Sequence, residues 1–428
     1  MKKKLPSILF VAVFFIICVV PSVGFFTFGP AEAGANERLA AKPSITERDG
    51  SLNTDYLSEL SEYFKGRFFL RQEMISANNG VTAALLASSA EEDVILGKNG
   101  WLYYSDTLDD YTGTAALDDH ELYMAAHNLH LMQQACGDFL FTLAPNKNSL
   151  YPENMPNLGA VNSHRDAQRL YELCDKLGVN YLDLFSVFEE EDETLYFAHD
   201  SHWNSRGAAL AADNILAAFG ISSNYYGGDF SQSQPHKGDL FEMLCPAGTD
   251  KETDPVYSPA IELEYEGSGV RPDSINIVAH GSGEGTLLAY RDSFGNNLYP
   301  YLAHSFETAH FSRATAYDLT NLEGVDCVLI ELVERNIDYL ITNIPLMPAP
   351  AAAAVECVPA EAEYEREEVK NAPEGCVLVR GKLDIKAKNV YILSEGTAYG
   401  AFLLQDGEFA AYIPADAPIN GIAINEFS

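Results

Sequence analysis

The run VDCVLIEL, residues 325–332, is the most apolar strand candidate in the chain. It closes an alternation of helix and strand signals that restricts the fold more than any other feature. Asp118 or Asp119 stands where it can cap a helix with apolar positions Leu122, Ala126, Leu129 and Met132, which Gly137 ends; FLFTLAP, 139–145, follows as a buried strand. A second helix carries Leu170, Cys174 and Leu177, stops at Gly178 and leads into the strand VNYLDLF, 179–185. Asn204 or Ser205 can cap RGAALAADNILAAFG. After an irregular stretch from 221 to 283, the strand TLLAY, 286–290, runs through RDSFGNN into a helix at 298–304. Such an order predicts an α/β domain: a parallel sheet with helices on both faces and active groups beyond the C-terminal strand ends.

Upstream, Leu57, Leu60, Phe64 and Phe68 are at helical spacing, so 56–71 should be an amphipathic helix. ILGKNGWLYY, 95–104, reads as a hairpin or strand entry around its Asn-Gly turn. Downstream, IPLMPAPAAAAVECVPAEAEYEREEV is Pro/Ala-rich and then acidic, which suggests a linker over 344–375. Apolar and polar residues alternate over 376–428, as in a small all-β module of roughly four strands. HGSGEG, 280–285, precedes a strand and lacks a following Gly-Lys-Ser/Thr, so it is no phosphate loop.

Lys2, Lys3 and Lys4 precede the apolar runs 8–20 and 23–28, the pattern of an export signal. Residues 5–28 are long enough to remain as a membrane anchor, whereas Ala31-Glu32-Ala33 offers cleavage near Ala33. The segments are therefore 1–35, signal or anchor; 36–343, the α/β domain; 344–375, linker; and 376–428, β module. Beyond Lys4 the balance is strongly acidic. The chain has 27 Lys plus Arg against 62 Asp plus Glu, a net charge of −35, and no basic cluster beyond Lys4. This argues against a nucleic-acid partner, because phosphate binding needs a basic surface. Of the seven cysteines none forms a C-x-x-C pair, so zinc and redox motifs lack support, and Cys357 and Cys376 are the best disulfide candidates.

Asp200-Ser201-His202 and Ser293 both follow strands, where a sheet of this type displays its active side chains. A serine nucleophile needs a base for its proton and a carboxylate to fix the base's tautomer, and Asp-x-His on one turn can supply both. Ser293, at the mouth of a helix, could also have backbone N–H groups near its attacking oxygen. Two other readings compete. His199, Asp200 and His202 could ligate zinc, but the two histidines point oppositely in an extended segment and no third His or Cys motif accompanies them. Alternatively, Asp200 and Ser201 cap the next helix while His202 packs on Trp203.

Six stretches in order, GKNGWLYY, LAPNKNSLYPENMP, HDSHWNSRGAALAAD, GDLFEML, RDSFGNNLYPYL and LIELVERNIDYL, resemble the AlgX/AlgJ-like and DHHW-type SGNH hydrolase-like proteins, relatives of polysaccharide O-acetyltransferases. The resemblance covers roughly 36–342. It implies an SGNH-like fold with Asp200 as orienting acid, His202 as base and Ser293 as nucleophile. It also implies Tyr299 and Arg291 near the substrate or acyl group. Ser201 stands where the DHHW motif has a further histidine. By this likeness the chain would be an exported serine acyltransferase or esterase acting on acetyl groups of a cell-surface polysaccharide. It would need no diffusible cofactor and no metal, and it would be supplied by a membrane-bound O-acyltransferase. The alternatives are a non-catalytic glycan-binding or assembly protein with the same fold and, more weakly, a metal-dependent hydrolase.

Overall fold

The computed structural model describes residues 5–31, 39–114, 116–159, 161–353 and 355–427. Lys2, Lys3 and Lys4, and Glu32 and Ala33 of the cleavage motif, lie outside them. The N-terminal apolar run is a single helix, α1 (Leu5–Phe28), and its part Ile8–Phe28 is long and apolar enough to cross a membrane by length and composition. Two helices come next, α2 (Tyr56–Arg67) and α3 (Arg71–Leu86). Phe25 of α1 meets Phe64 at 5.1 Å and Phe28 stacks on Phe69 at 5.0 Å. The helix expected over 56–71 thus ends early and buries no residue; Leu57 is 77% exposed. Its aromatic end packs on α1 instead of the domain core, which leaves Leu57 uncovered among the described residues.

The predicted hairpin forms between β1 (Val94–Leu96) and β2 (Leu102–Tyr104). Asn99 and Gly100 take positive φ of 56° and 84°, the left-handed pair that an Asn-Gly turn tolerates. After the short α4 (Leu108–Thr112), Asp118 and Glu121 close a capping box at the start of α5 (Asp119–Ala135). Next come β3 (Asp138–Ala144), α6 (Lys147–Leu150), α7 (Asp166–Leu177), β4 (Tyr181–Leu182) and α8 (Leu184–Glu189). The strand expected over 179–185 is only two residues long, because the Asp183 carboxylate accepts from the N–H groups of Phe185 and Ser186 and starts α8. Asn204 caps α9 (Ser205–Ala218).

The stretch 221–283, expected to be irregular, contains five regular elements. It holds β5 (Asp229–His236), α10 (Asp239–Leu244), β6 (Glu252–Ser258), β7 (Glu264–Tyr265) and β8 (Asn276–His280). Strands β5 and β6 pair antiparallel, but DFSQSQPH has no apolar alternation to reveal it. The domain ends with β9 (Thr286–Tyr290), α11 (Gly295–His304), β10 (Thr308–Ser312), β11 (Cys327–Val333) and α12 (Tyr339–Thr342).

Seven strands form the central sheet in the order β4-β3-β11-β9-β10-β8-β7, parallel from β4 to β10 and antiparallel at β8 and β7. Side chains alternate between two cores. Phe139, Phe141 and Leu143 of β3, with Val328, Ile330 and Leu332 of β11, pack among residues of α5 and α7; Leu140, Leu329, Leu287 and Phe311 face those of α8, α9 and α11. Burial of both faces explains why β3 and β11 read as continuous apolar runs. Over β8, β9 and β10 one face stays open: Asn276, Leu288, Thr308, His310 and Ser312 line a groove of about 850 Å³.

The segment expected to be a linker supplies β12 (Ala351–Ala352), β13 (Val358–Ala360) and β14 (Glu363–Glu367). They join β15 (Cys376–Lys382), β16 (Ala387–Ser394), β17 (Thr397–Gly400), β18 (Phe402–Leu403), β19 (Glu408–Pro414) and β20 (Gly421–Glu426). The result is two sheets, β12-β17-β16-β20-β13 and β14-β15-β19-β18. Val379, Ile392, Phe402 and Ile424 share one core with Leu122, Leu129 and Met132 of α5. Buried Asn128 of α5 donates to the carbonyls of Leu340 and Leu403 and accepts from Leu403 N–H. The expected bridge between Cys357 and Cys376 is absent; both are free thiols, Cys376 on β15 and Cys357 beside β13 in the other sheet.

Candidate active site

The HDSH segment lies in a tight loop. Tyr196 and Trp203 form an isolated antiparallel bridge, and Asn204 N–H donates to Leu195 O at 2.8 Å. Lys147, at the start of α6, fills the loop from below: its Nζ donates to the carbonyls of Phe197, Ala198 and Asp200 at 3.1, 3.0 and 2.6 Å. The Trp101 and Tyr103 rings of the β2 region lie 5.5 and 5.1 Å from the same ammonium. Burial lowers this amine to about 8, while the charges of Asp200, Asp239 and Glu252 act in the opposite direction. On the other side, the Glu252 carboxylate accepts from the N–H groups of Ala198 and His199, both at 2.7 Å.

Ser293 enters from the end of β9. Asp292 pins its turn by accepting from Phe294 N–H at 2.8 Å and from Val333 N–H, at the end of β11, at 2.6 Å. Trp203 Nε1–H donates to Phe294 O at 3.0 Å, so the turn and the HDSH loop are tied directly. This brings residues 91 positions apart together: Ser293 Oγ is 2.9 Å from His202 Nε2. His202 Nδ1 is 2.7 Å from Asp200 Oδ1. With Nδ1–H donating to the carboxylate, Nε2 is free to accept the serine proton.

The electrostatics suit that assignment. Burial disfavours a charged His202, but the Asp200 charge and hydrogen bond, joined by Asp239, outweigh it and raise the imidazole above its usual value. Burial likewise disfavours a charged Asp200, yet His202 and His236 hold it well below the carboxylate range. Asp200 is 4% exposed and accepts four hydrogen bonds. Two come from His202 N–H and Nδ1–H, one from His236 Nε2–H and one from Asp239 N–H. Gly238 allows the last: a Cβ there would sit 2.1 Å from His199 O and 2.8 Å from Asp200 N. Asp239 accepts from Ser201 N–H and Oγ–H at 2.7 and 2.6 Å, bracing the loop.

His236 and Asp239 are the residues that sequence reasoning missed. Asp239 had a signal, since it lies in GDLFEML; His236 sits in a polar strand without one. His199 turns away, its ring 5.6 Å from Phe241 and its Nδ1 3.7 Å from Asp250, so the two histidines of HDSH do not converge. The donor atoms of Asp200, His202 and Asp239 lie within 4.8 Å of one another, and all three groups spend them on hydrogen bonds within the site.

Arg291 and Tyr299 lie behind the nucleophile turn, both 5% exposed. The Arg291 guanidinium donates to Asn296 Oδ1 and to the carbonyls of Pro272, Ser274 and Asp292. Tyr299 meets the Arg291 guanidinium at 5.7 Å, Phe311 at 5.6 Å and the Tyr265 hydroxyl at 3.1 Å. Arg291 also lines a cavity of about 220 Å³ beside Ser293, together with Arg313, Thr315, Tyr317, Asn336 and Tyr339; Tyr299 is not among its walls.

Ser293 follows β9 as expected, but Asp200 and His202 follow no sheet strand; they lie in the loop between α8 and α9, and their line against Ser293 beside a mainly parallel sheet defines a hydrolase-like α/β domain. The sequence comparison narrows the class: residues 94–273 match the family model described as SGNH hydrolase-like domain, acetyltransferase AlgX. Residues 94–273 are thus similar to an SGNH hydrolase-like domain of the AlgX type, the resemblance that the ordered motifs implied. The matched span includes Asp200 and His202 and ends before Ser293. No curated protein matches the chain in sequence. Among solved structures, a DHHW family protein from Eubacterium siraeum is 15% identical over 59% of this chain and 95% of its own, with a TM-score of 0.44. PatB1 of Bacillus cereus, solved with a sulfonyl adduct, is 18% identical over 58% of this chain and 97% of its own, TM-score 0.43. The O-acetyltransferase domain of Pseudomonas putida AlgJ is 16% identical over 58% and 93%, TM-score 0.40.

Proposed function

We propose that this protein is an exported serine enzyme that moves acetyl groups onto, or off, a cell-surface polysaccharide. The observation that carries the reading is the line Ser293 Oγ, His202 Nε2, His202 Nδ1, Asp200 Oδ1, with contacts of 2.9 and 2.7 Å. In it, His202 takes the proton of Ser293 as the oxygen attacks the acetyl carbonyl. The tetrahedral intermediate collapses with return of that proton to the leaving oxygen, and an acetyl-serine ester remains. A sugar hydroxyl or water, deprotonated by the same imidazole, then attacks the ester carbonyl, and the imidazolium returns that proton to Ser293 Oγ as the acetyl group leaves. Ser293 N–H donates to no protein acceptor among the described residues, so it is available to the oxyanion. Export through the N-terminal helix and a membrane-bound acyltransferase as acetyl donor complete the proposal; the apolar run supports the first, and the resemblance alone supports the second.

The test uses the full chain in detergent with a chromogenic acetyl ester, as wild type and Ser293→Ala, with and without a chelator. Release by the wild type that falls roughly 10⁴-fold or more in the variant and ignores the chelator supports the triad. Absence of release from both, with glycan binding unchanged by the substitution, selects a binding protein; loss caused by the chelator alone selects a metal hydrolase.

A further inference from the structure

Asp200 is shared by two imidazoles. His202 occupies Oδ1, and His236 Nε2–H donates to Oδ2 at 2.8 Å beside the Asp239 N–H at 3.0 Å. His236 is the last residue of β5, paired with Glu252 of β6, and its ring stacks on Phe197 with centroids 4.0 Å apart and planes 16° apart. Glu252 is the residue whose carboxylate holds Ala198 and His199. One rung of the β5–β6 ladder thus grips the HDSH loop twice, through its backbone and through the catalytic carboxylate.

We infer that His236 is a positioning residue of the active site, which engages Asp200 Oδ2 so that Oδ1 stays on His202 and the His202 ring stays aimed at Ser293. The inference rests on the triad reading proposed above. The charged groups facing His236 are Asp200 from the loop and Glu252 and Asp254 from β6; Phe197 presents only its ring. A carboxylate with donors on both oxygens divides its charge between them. Without His236, Asp200 is freer to rotate, which lowers the rate. Its charge also falls more fully on His202, which then holds its proton to higher pH. A purely structural residue would lower stability and rate without moving that ionisation.

Two readouts on the full-length protein in detergent test this, for wild type, His236→Gln, His236→Phe and His236→Asn. The first is kcat/KM for the acetyl ester from pH 5 to 9. The second is an NMR titration of ¹³Cε1-labelled histidines, with the His202 signal identified by its loss in His202→Gln. In His236→Phe, and in His236→Asn whose amide is too short to reach, the alkaline plateau should fall about tenfold, the scale of one hydrogen bond to a charged group. The His202 ionisation should move to higher pH in both. His236→Gln, which keeps an N–H donor at comparable reach, should restore the plateau to within about threefold, a small fraction of such a bond. Unmoved His202 titration in folded Phe and Asn variants overturns the inference, as does a folded Gln variant no better than Phe. If no form turns over ester but the His202 signal moves as stated, the enzymatic reading fails and the positioning role stands.

Discussion

At the residue scale, Ser293 owes its proposed reactivity to His202, and His202 owes its basicity to the carboxylates around it. The base must be neutral to accept a proton, and Asp200 and Asp239 raise its ionisation above the usual imidazole value of ~6.5. Ester turnover should therefore rise with pH along a limb above that value and reach its plateau on the alkaline side; a flat rate from pH 5 to 8 removes His202 from the role. Beneath the nucleophile turn, Glu331 is fully buried, with Oε2 accepting from Asp292 N–H at 3.3 Å and Oε1 without a partner among the described residues. Burial, then the Asp292 charge, raises its ionisation well above the ordinary value. The folded state therefore retains a proton that the unfolded chain releases above ~4.3, and stability falls as pH rises past that point. Glu331→Gln should stabilise the protein at pH 7 by on the order of 1 kcal/mol, a gain that disappears near pH 4 in thermal unfolding curves. Residue chemistry made Asp200, His202 and Ser293 candidates beside a metal site and a helix cap, and the resemblance of the surrounding motifs selected the triad. His236 could not, because a histidine in a polar strand looks like any solvated one until the hairpin folds back on the loop.

At the element scale, the site depends on how closely α10 and the β5–β6 hairpin press on the HDSH loop. Gly238 lies where a methyl group would overlap His199 O and Asp200 N. Gly238→Ala should push α10 outward, withdraw Asp239 N–H from Asp200 and lower kcat about tenfold, the effect of one weakened hydrogen bond to a charged acceptor. Far-UV circular dichroism should show the fold retained, and an unchanged kcat would mean that α10 does not brace the carboxylate. The helices that were legible, α5, α7 and α9, have apolar periodicity and side-chain or glycine caps. The hairpin β5–β6 was not, since Ser, Gln, Pro and His supply no alternating pattern and its order comes from its partners.

At the scale of the whole molecule, the C-terminal strands are part of the core. Val379, Phe402 and Ile424 pack with Leu122, Leu129 and Met132 of α5, and Asn128 is hydrogen-bonded into β18. A chain ending at residue 343 should expose this apolar surface and remove both hydrogen bonds between Asn128 and Leu403, leaving only the one to Leu340 O. It should aggregate or unfold on size-exclusion chromatography, whereas a freely tethered module would be removable without loss. The open face over β8, β9 and β10 is the counterpart: its strands alternate buried Ile277, Leu287, Ala289 and Phe311 with polar Thr308, His310 and Ser312.

The sequence by itself determined the α/β order, the apolar N-terminal helix, the helix starts near Asp118 and Asn204 and the Asn-Gly hairpin, and it offered the residues proposed for the reaction as candidates. Each is written in local spacing or in the chemistry of a side chain. Tertiary structure alone decided the features that depend on contacts between residues distant in the chain. It placed His202 against Ser293 across 91 positions, gave Asp200 a second imidazole, and directed Lys147 into three carbonyls. It also turned an acidic, proline-rich stretch into strands, because an edge strand gains its order from the neighbour it pairs with and its own sequence need carry no apolar pattern.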